Sequence, residues 1–304
     1  MIEEEIKISE LIESLWKNKL QILLVTLLFA VSSVILSLSL PNQYVSKSIL
    51  VSAIDESSSL SRLNNQLGSL ANLSGFSLDS DDASNLSIGI ETIKSYKFFE
   101  YLIVKYDFLV PLMASKSWDQ QSLSLELDSK IYDSSLNKWV RKVSPPKKTI
   151  PSYQEAHKKF LEAVTISEDK KNGFITISVK HVSPYIAKDW LDWIIKEINE
   201  TTRIKAIKKA EDSIDYLNNE ISTTQLSDIR YGLNKIIESQ IEIAMIASAT
   251  PEYLFQVIDP PIVSEFKSGP PRALICILLT MMGFFIAIFY FLVINIFKKK
   301  TYQI

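Results

Sequence analysis

Two long runs without a charged residue stand near the two ends of this 304-residue chain. Residues 20–40 (LQILLVTLLFAVSSVILSLSL) make a run of 21, and residues 273–297 (ALICILLTMMGFFIAIFYFLVINIF) a run of 25. A helix rises about 1.5 Å per residue, so about 20 residues cross a hydrocarbon core about 30 Å thick. Both runs predict transmembrane helices. The chain then divides into an N-terminal segment 1–19, a first span 20–40, a large domain 41–272, a second span 273–297 and a tail 298–304. Ser37-Leu38-Ser39 has the small-x-small form of a signal-peptide cleavage site. The run is longer than a signal core, however, and 19 residues, many of them charged, precede it. An uncleaved anchor is the better reading.

The flanks set the orientation. Lys17 and Lys19 precede the first run, and Lys298, Lys299 and Lys300 follow the second. By the positive-inside rule both ends are cytoplasmic, and residues 41–272 are periplasmic in a Gram-negative host. Lys267 and Arg272 oppose this weakly, because long translocated loops tolerate charge. Trp16 and Tyr44 suit an interfacial aromatic belt. The second run also places Cys276, Thr280, Gly283 and Ala287 at spacings of 4, 3 and 4, one face of a helix. Small faces let membrane helices approach closely, so this face predicts a packing seam, between spans or between protomers.

Strand and helix signals alternate between the runs. Residues 44–53 read as a strand leaving the membrane, residues 57–87 as loops and short helices, and residues 90–109 as a helix stopped by Pro111. Residues 137–151 (NKWVRKVSPPKKTIP) read as a basic surface loop. Ser152 and Glu155 have capping-box spacing and open a helix to about Ala163. Residues 164–167 and 174–181 form a hairpin around the turn-forming run 168–173. Ser183-Pro184 is a strong helix start, and from there to about residue 248 there is no proline and one glycine, Gly232. Apolar residues from Ile204 to Ile221 keep spacings of 3 and 4, and the pattern resumes at Leu226 after a break at 222–228. Some 60 helical residues would stretch about 90 Å, so this region must project or fold back. Residues 253–258 return as a strand. Pro260, Pro261, Pro270 and Pro271 make a stiff, extended lead into the second span. Strands at both ends of the domain predict one mixed sheet at its base.

A net charge of -2 gives no basic field for nucleic acid. The single cysteine lies in the second run, and the two histidines, His157 and His181, form no cluster for zinc. There is no phosphate loop and no nucleophile elbow. Asp79, Asp81 and Asp82 lack EF-hand spacing and read as a solvated loop. His157, on a helix with Lys158 and Lys159, reads as a surface residue. Trp190 and Trp193 suit a core better than a sugar platform. No cofactor or metal is expected, and the chain does not read as an enzyme.

Several stretches together resemble the Wzz-type chain-length determinants. These are the terminal pair of spans, Pro41-Asn42-Gln43-Tyr44, Gly68-Ser69-Leu70-Ala71-Asn72-Leu73-Ser74-Gly75, the turn 168–173, Trp190-Leu191-Asp192-Trp193 and Ile198-Asn199-Glu200. The most specific are Ile258-Asp259-Pro260-Pro261 and Pro271-Arg272-Ala273-Leu274-Ile275-Cys276. Ser264 stands where relatives often have proline, and Leu279 where they often have glycine. The resemblance implies an α+β membrane protein: two transmembrane helices flanking a periplasmic α/β base, with a long projecting helical trunk at 184–248. It implies polysaccharide co-polymerases that set the modal length of lipopolysaccharide O-antigen without catalysis. Implied partners are further copies in a ring or bell, a Wzy-type polymerase and lipid-linked polysaccharide. Capsule or enterobacterial common antigen are alternative polymers. A transmembrane sensor would need a cytoplasmic output domain, where only about seven residues follow the second span. A capsule tyrosine kinase would need the missing phosphate loop.

Overall fold

The computed structural model describes residues 16, 18–53, 81–224 and 226–301, with the backbone alone for 81–85 and 295–301. The motif from Gly68 to Gly75 and Asp79 lie outside the described residues. The chain forms two compact units. Residues Tyr44–Lys267 make one, and Met1–Gln43 with Ser268–Ile304 make the other.

In the larger unit, β1 (Tyr44–Ser52), β6 (Val164–Glu168), β7 (Ile175–His181) and β8 (Phe255–Asp259) form a four-stranded sheet. Its order is β6-β7-β1-β8. The expected strands are present, but every pairing is antiparallel, so the sheet is not mixed. The reason is that β1 and β8, one from each end of the domain, run in opposite directions side by side. The register from Tyr44↔His181 to Leu50↔Ile175 turns alternate residues of β1 and β7 to one buried face. Gly173 takes a left-handed φ of 70° in the β6–β7 turn, where a side chain would be strained.

Four helices precede that hairpin: α2 (Asp81–Lys94), α3 (Tyr96–Tyr106), α4 (Leu109–Ala114) and α5 (Tyr153–Ala163). The single helix read from 90 to 109 is broken at Ser95, whose side chain caps α3 by accepting from Phe98 N. Pro111 does not end a helix. It sits in the first turn of α4, where its missing N–H costs nothing. Ser152 caps α5 as expected, but Glu155 does not complete a capping box; its carboxylate is taken by Arg141 at 2.6 and 2.8 Å. Between α4 and α5 lie two short hairpins, β2 (Ser115–Asp119) with β3 (Ser124–Leu127), and β4 (Tyr132–Asp133) with β5 (Lys138–Trp139).

The long helical region is two helices. α6 (Pro184–Thr223) has 40 residues, about 60 Å of rise, and α7 (Ser227–Ala249) folds back along it. Ser183 caps α6 by accepting from Ile186 N. The first part of α6 lies on the sheet and buries Ala187, Trp190, Leu191, Ile194, Ile195 and Ile198 among Phe98, Phe99 and Phe160. Each leucine or isoleucine side chain taken out of water contributes about 1.5–3 kcal/mol. Beyond the sheet, α6 packs along α7. There Ile204, Tyr216, Leu226, Ile229, Tyr231 and Met245 remain exposed. Two helices alone cannot enclose an apolar stripe that runs round both.

Buried Asn199 fastens the far end of this hairpin. Its Oδ1 accepts from Leu254 N and Phe255 N, and its Nδ2 donates to Phe255 O at 2.9 Å. That arrangement delivers the chain into β8. Gly89 of α2 lets Leu254 approach closely, since a Cβ there would stand 2.6 Å from Leu254 Cδ2.

Candidate functional site

The smaller unit contains α1 (Lys19–Ser39) and α8 (Arg272–Thr301), both long and apolar enough to cross a membrane. They pack on each other, and the small-residue face of α8 takes part. Gly283 is buried, and a Cβ added there would lie 2.5 Å from Phe29 Cβ. Ala287 is 2% exposed, while Cys276 and Thr280 are half-buried, with Thr280 Oγ1 donating to Cys276 O at 2.7 Å. Gly283 therefore serves contact between α1 and α8 of one chain. The matching surface on α1 was missed in the sequence, although its signal was the same: Thr26, Ala30, Ser33 and Ser37 also stand at spacings of 4, 3 and 4. Ser33 and Ser37 are buried.

The outer ends of these helices are tied. Gln43 N donates to Gly269 O at 2.9 Å, and Ser268 N to Gln43 O at 2.8 Å. Arg272 Nη2 donates to Asn42 Oδ1 and Leu40 O. Pro270 and Pro271 lie between this pairing and the first turn of α8, where Ile275 N donates to Pro271 O. In the larger unit, Pro260 and Pro261 follow β8 along β1. Buried Ser48 donates to Asp259 O and buried Ser46 to Ile262 O. The proline lead is thus pinned at both ends, and it bends at Glu265–Phe266 instead of running straight. Tyr44 is not an interfacial anchor; it is buried at the start of β1, its hydroxyl accepting from Gln120.

A polar cluster joins α3 to α6. The Glu197 side chain is 1% exposed and accepts from Tyr101 Oη at 2.6 Å, Tyr106 Oη at 2.6 Å and Lys105 Nζ at 2.8 Å. Burial opposes ionisation of Glu197, but these donated bonds outweigh it and hold the carboxyl below its ordinary range. The same contacts raise Lys105, and burial with the Glu197 bond pushes Tyr106 up to about 12. Tyr106 stacks on Trp193 with ring centroids 4.3 Å apart. Trp190 is buried beside Phe108 and His181, so both tryptophans belong to packing. The sequence carried no sign of this cluster, because Glu197 and its donors lie more than 90 positions apart.

The histidines have separate places. Burial lowers the pKa of His181, whose Nδ1 accepts from Ser183 N at 3.0 Å. His157 is half-buried, not on the open surface, with Nε2 at 2.8 Å from Lys94 O and its ring against Tyr96 and Phe99. Along the α6–α7 hairpin, Lys205, Lys208, Lys209, Tyr216, Ile236 and Gln240 line an open groove of about 610 Å³. Among the described residues, no three of His, Cys, Asp and Glu come together as metal ligands.

Comparison with known proteins adds a family. The model of the Wzz chain length determinant proteins matches residues 4–105. No curated protein matches the chain. Similar solved structures include a full-length bacterial polysaccharide co-polymerase, 13% identical over 97% of this chain and 99% of that one, with a TM-score of 0.39. Another is a fragment of WzzB, a polysaccharide co-polymerase from Salmonella Typhimurium, 11% identical over 75% of this chain and all of the fragment, with a TM-score of 0.36. Neither likeness is close enough to carry a residue's role across. The resemblance read from the motifs is met, over residues 4–105, by the match to the Wzz chain length determinant proteins.

Proposed function

We propose that the protein is a non-catalytic regulator of the modal length of lipopolysaccharide O-antigen, working as a homo-oligomeric scaffold beside a Wzy-type polymerase. The observation that carries this reading is the family match over residues 4–105. In this reading the protein lies in the bacterial inner membrane with both termini cytoplasmic and residues 41–272 in the periplasm. The two apolar helices and their lysine flanks support it. The exposed apolar residues of the α6–α7 hairpin support association of copies, because large uncovered apolar surfaces mark interaction sites. The small faces of α1 and α8 bring the two spans together.

Deletion of the gene is expected to replace a clustered distribution of glycan lengths by a smooth, mostly short one, with polymer still made. Gel separation of the lipopolysaccharide reads this directly. Loss of all polymer beyond one repeat would contradict a purely regulatory role. Orientation has its own check: reporters at either terminus should be active only as cytoplasmic fusions, and those within 41–272 only as periplasmic ones. Protection of 41–272 from protease added to spheroplasts would refute the topology.

A further inference from the structure

The stretch between β8 and α8 holds two large apolar side chains in water, Ile262 at 66% exposed and Phe266 at 82%. Both are fixed by hydrogen bonds to their carbonyls. Buried Ser46 donates to Ile262 O at 2.8 Å, and Ser264 Oγ donates to Phe266 O at 2.8 Å. Single exposed apolar side chains are common on protein surfaces, so what distinguishes this pair is its place in the chain.

Chain length then limits where that ring stands. Phe266 is six residues before Arg272, the first residue of α8. An extended chain advances about 3.5 Å per residue, so the ring lies within about 20 Å of the start of that helix. It is also two residues before Ser268, whose N–H is bound to Gln43 O, and Gln43 stands four residues after the end of α1. Phe266 is thus tethered close to both points where the chain would enter the membrane. Tyr44, the aromatic residue expected there, is buried, which leaves Phe266 as the exposed aromatic side chain of this stretch. Glu265 and Lys267 flank it with opposite charges, so attraction to a charged surface is not its driving force.

We propose that Ile262 and Phe266 form an anchor that inserts into the outer-facing leaflet of the membrane, with lipid acyl chains as its partner. The anchor would hold the proline lead at a fixed depth. This inference rests on α1 and α8 being membrane spans and not on which polymer is regulated.

The single native cysteine makes the test direct. In the full chain carrying Cys276→Ser, Phe266→Cys and separately Ile262→Cys are labelled with an environment-sensitive fluorophore. The proteins are reconstituted in phosphatidylethanolamine–phosphatidylglycerol vesicles containing lipid with a spin label near the headgroup. Emission from both sites should shift to shorter wavelength and be at least halved by the spin-labelled lipid. The shift should survive added salt. Tyr231→Cys is the control: it is exposed on α7, about 27 Å of helix away from the end at Ala249, and should be unquenched. Vesicle flotation reports on the spans alone. Protein that floats while both probes stay unquenched and water-exposed overturns the anchor. Probes that are shielded but not quenched by lipid also overturn it, showing a protein partner instead.

Discussion

Replacing Glu197 by alanine is expected to lower the unfolding free energy of the full chain in detergent by about 3 kcal/mol. A hydrogen bond to a charged group contributes about 1.5–3 kcal/mol, and one substitution removes three donors' shared acceptor. The sum is less than three full bonds because Lys105, 43% exposed, and Tyr101, also exposed, regain water. Tyr106 regains little, since it is held against Trp193. Glu197→Gln keeps an acceptor for the tyrosines but turns an amide toward Lys105, so its loss should be smaller. The pH dependence follows from the depressed carboxyl. Its stabilisation is complete above the unfolded value of about 4.3 and is lost as pH falls through the lower folded value. Denaturant midpoints followed by tryptophan fluorescence across that acid range would test both statements. An unchanged midpoint for Glu197→Ala would show that the cluster does not hold α3 on α6.

Gly283→Leu is expected to force α1 and α8 apart and to shift the glycan length distribution, with expression and membrane insertion retained. Even a Cβ would overlap Phe29 at its own Cβ, which lies close to the α1 backbone and has no rotamer of escape. Overpacking of this kind costs about 1–3 kcal/mol. Phe29→Gly should return much of the function when combined with Gly283→Leu, because it removes the Cβ and ring atoms that clash. That rescue separates a seam within one chain from a seam between copies. A Gly283→Leu protein with normal lengths, or one that Phe29→Gly fails to rescue, would show that this contact is not what the length distribution depends on.

Elements governed by local rules were legible from the residues alone. Uncharged length announced α1 and α8, Ser183-Pro184 announced α6, and the turn before Phe174 announced the β6–β7 hairpin. Ser95 was less readable, because a serine with a helical stretch on either side is equally a helix interior and a cap. The same ambiguity hid Pro111, which ends helices in general but is harmless in a first turn. The small face of α1 was present in sequence yet unread, since serines and threonines at helical spacing acquire meaning only opposite a facing helix.

Length, apolar runs, capping residues and turn signals are properties of short windows, and they determined the two candidate spans, the long helical region and the order of the elements. Tertiary structure alone decided what lies across from what. It set the antiparallel neighbourhood of β1 and β8, the fold-back of α7 on α6, the placing of Phe29 over Gly283, and the meeting of Glu197 with Tyr101, Lys105 and Tyr106. Each of these joins positions far apart in the chain. Burial and directed hydrogen bonds arise only after the chain has closed on itself, so no window of sequence contains them.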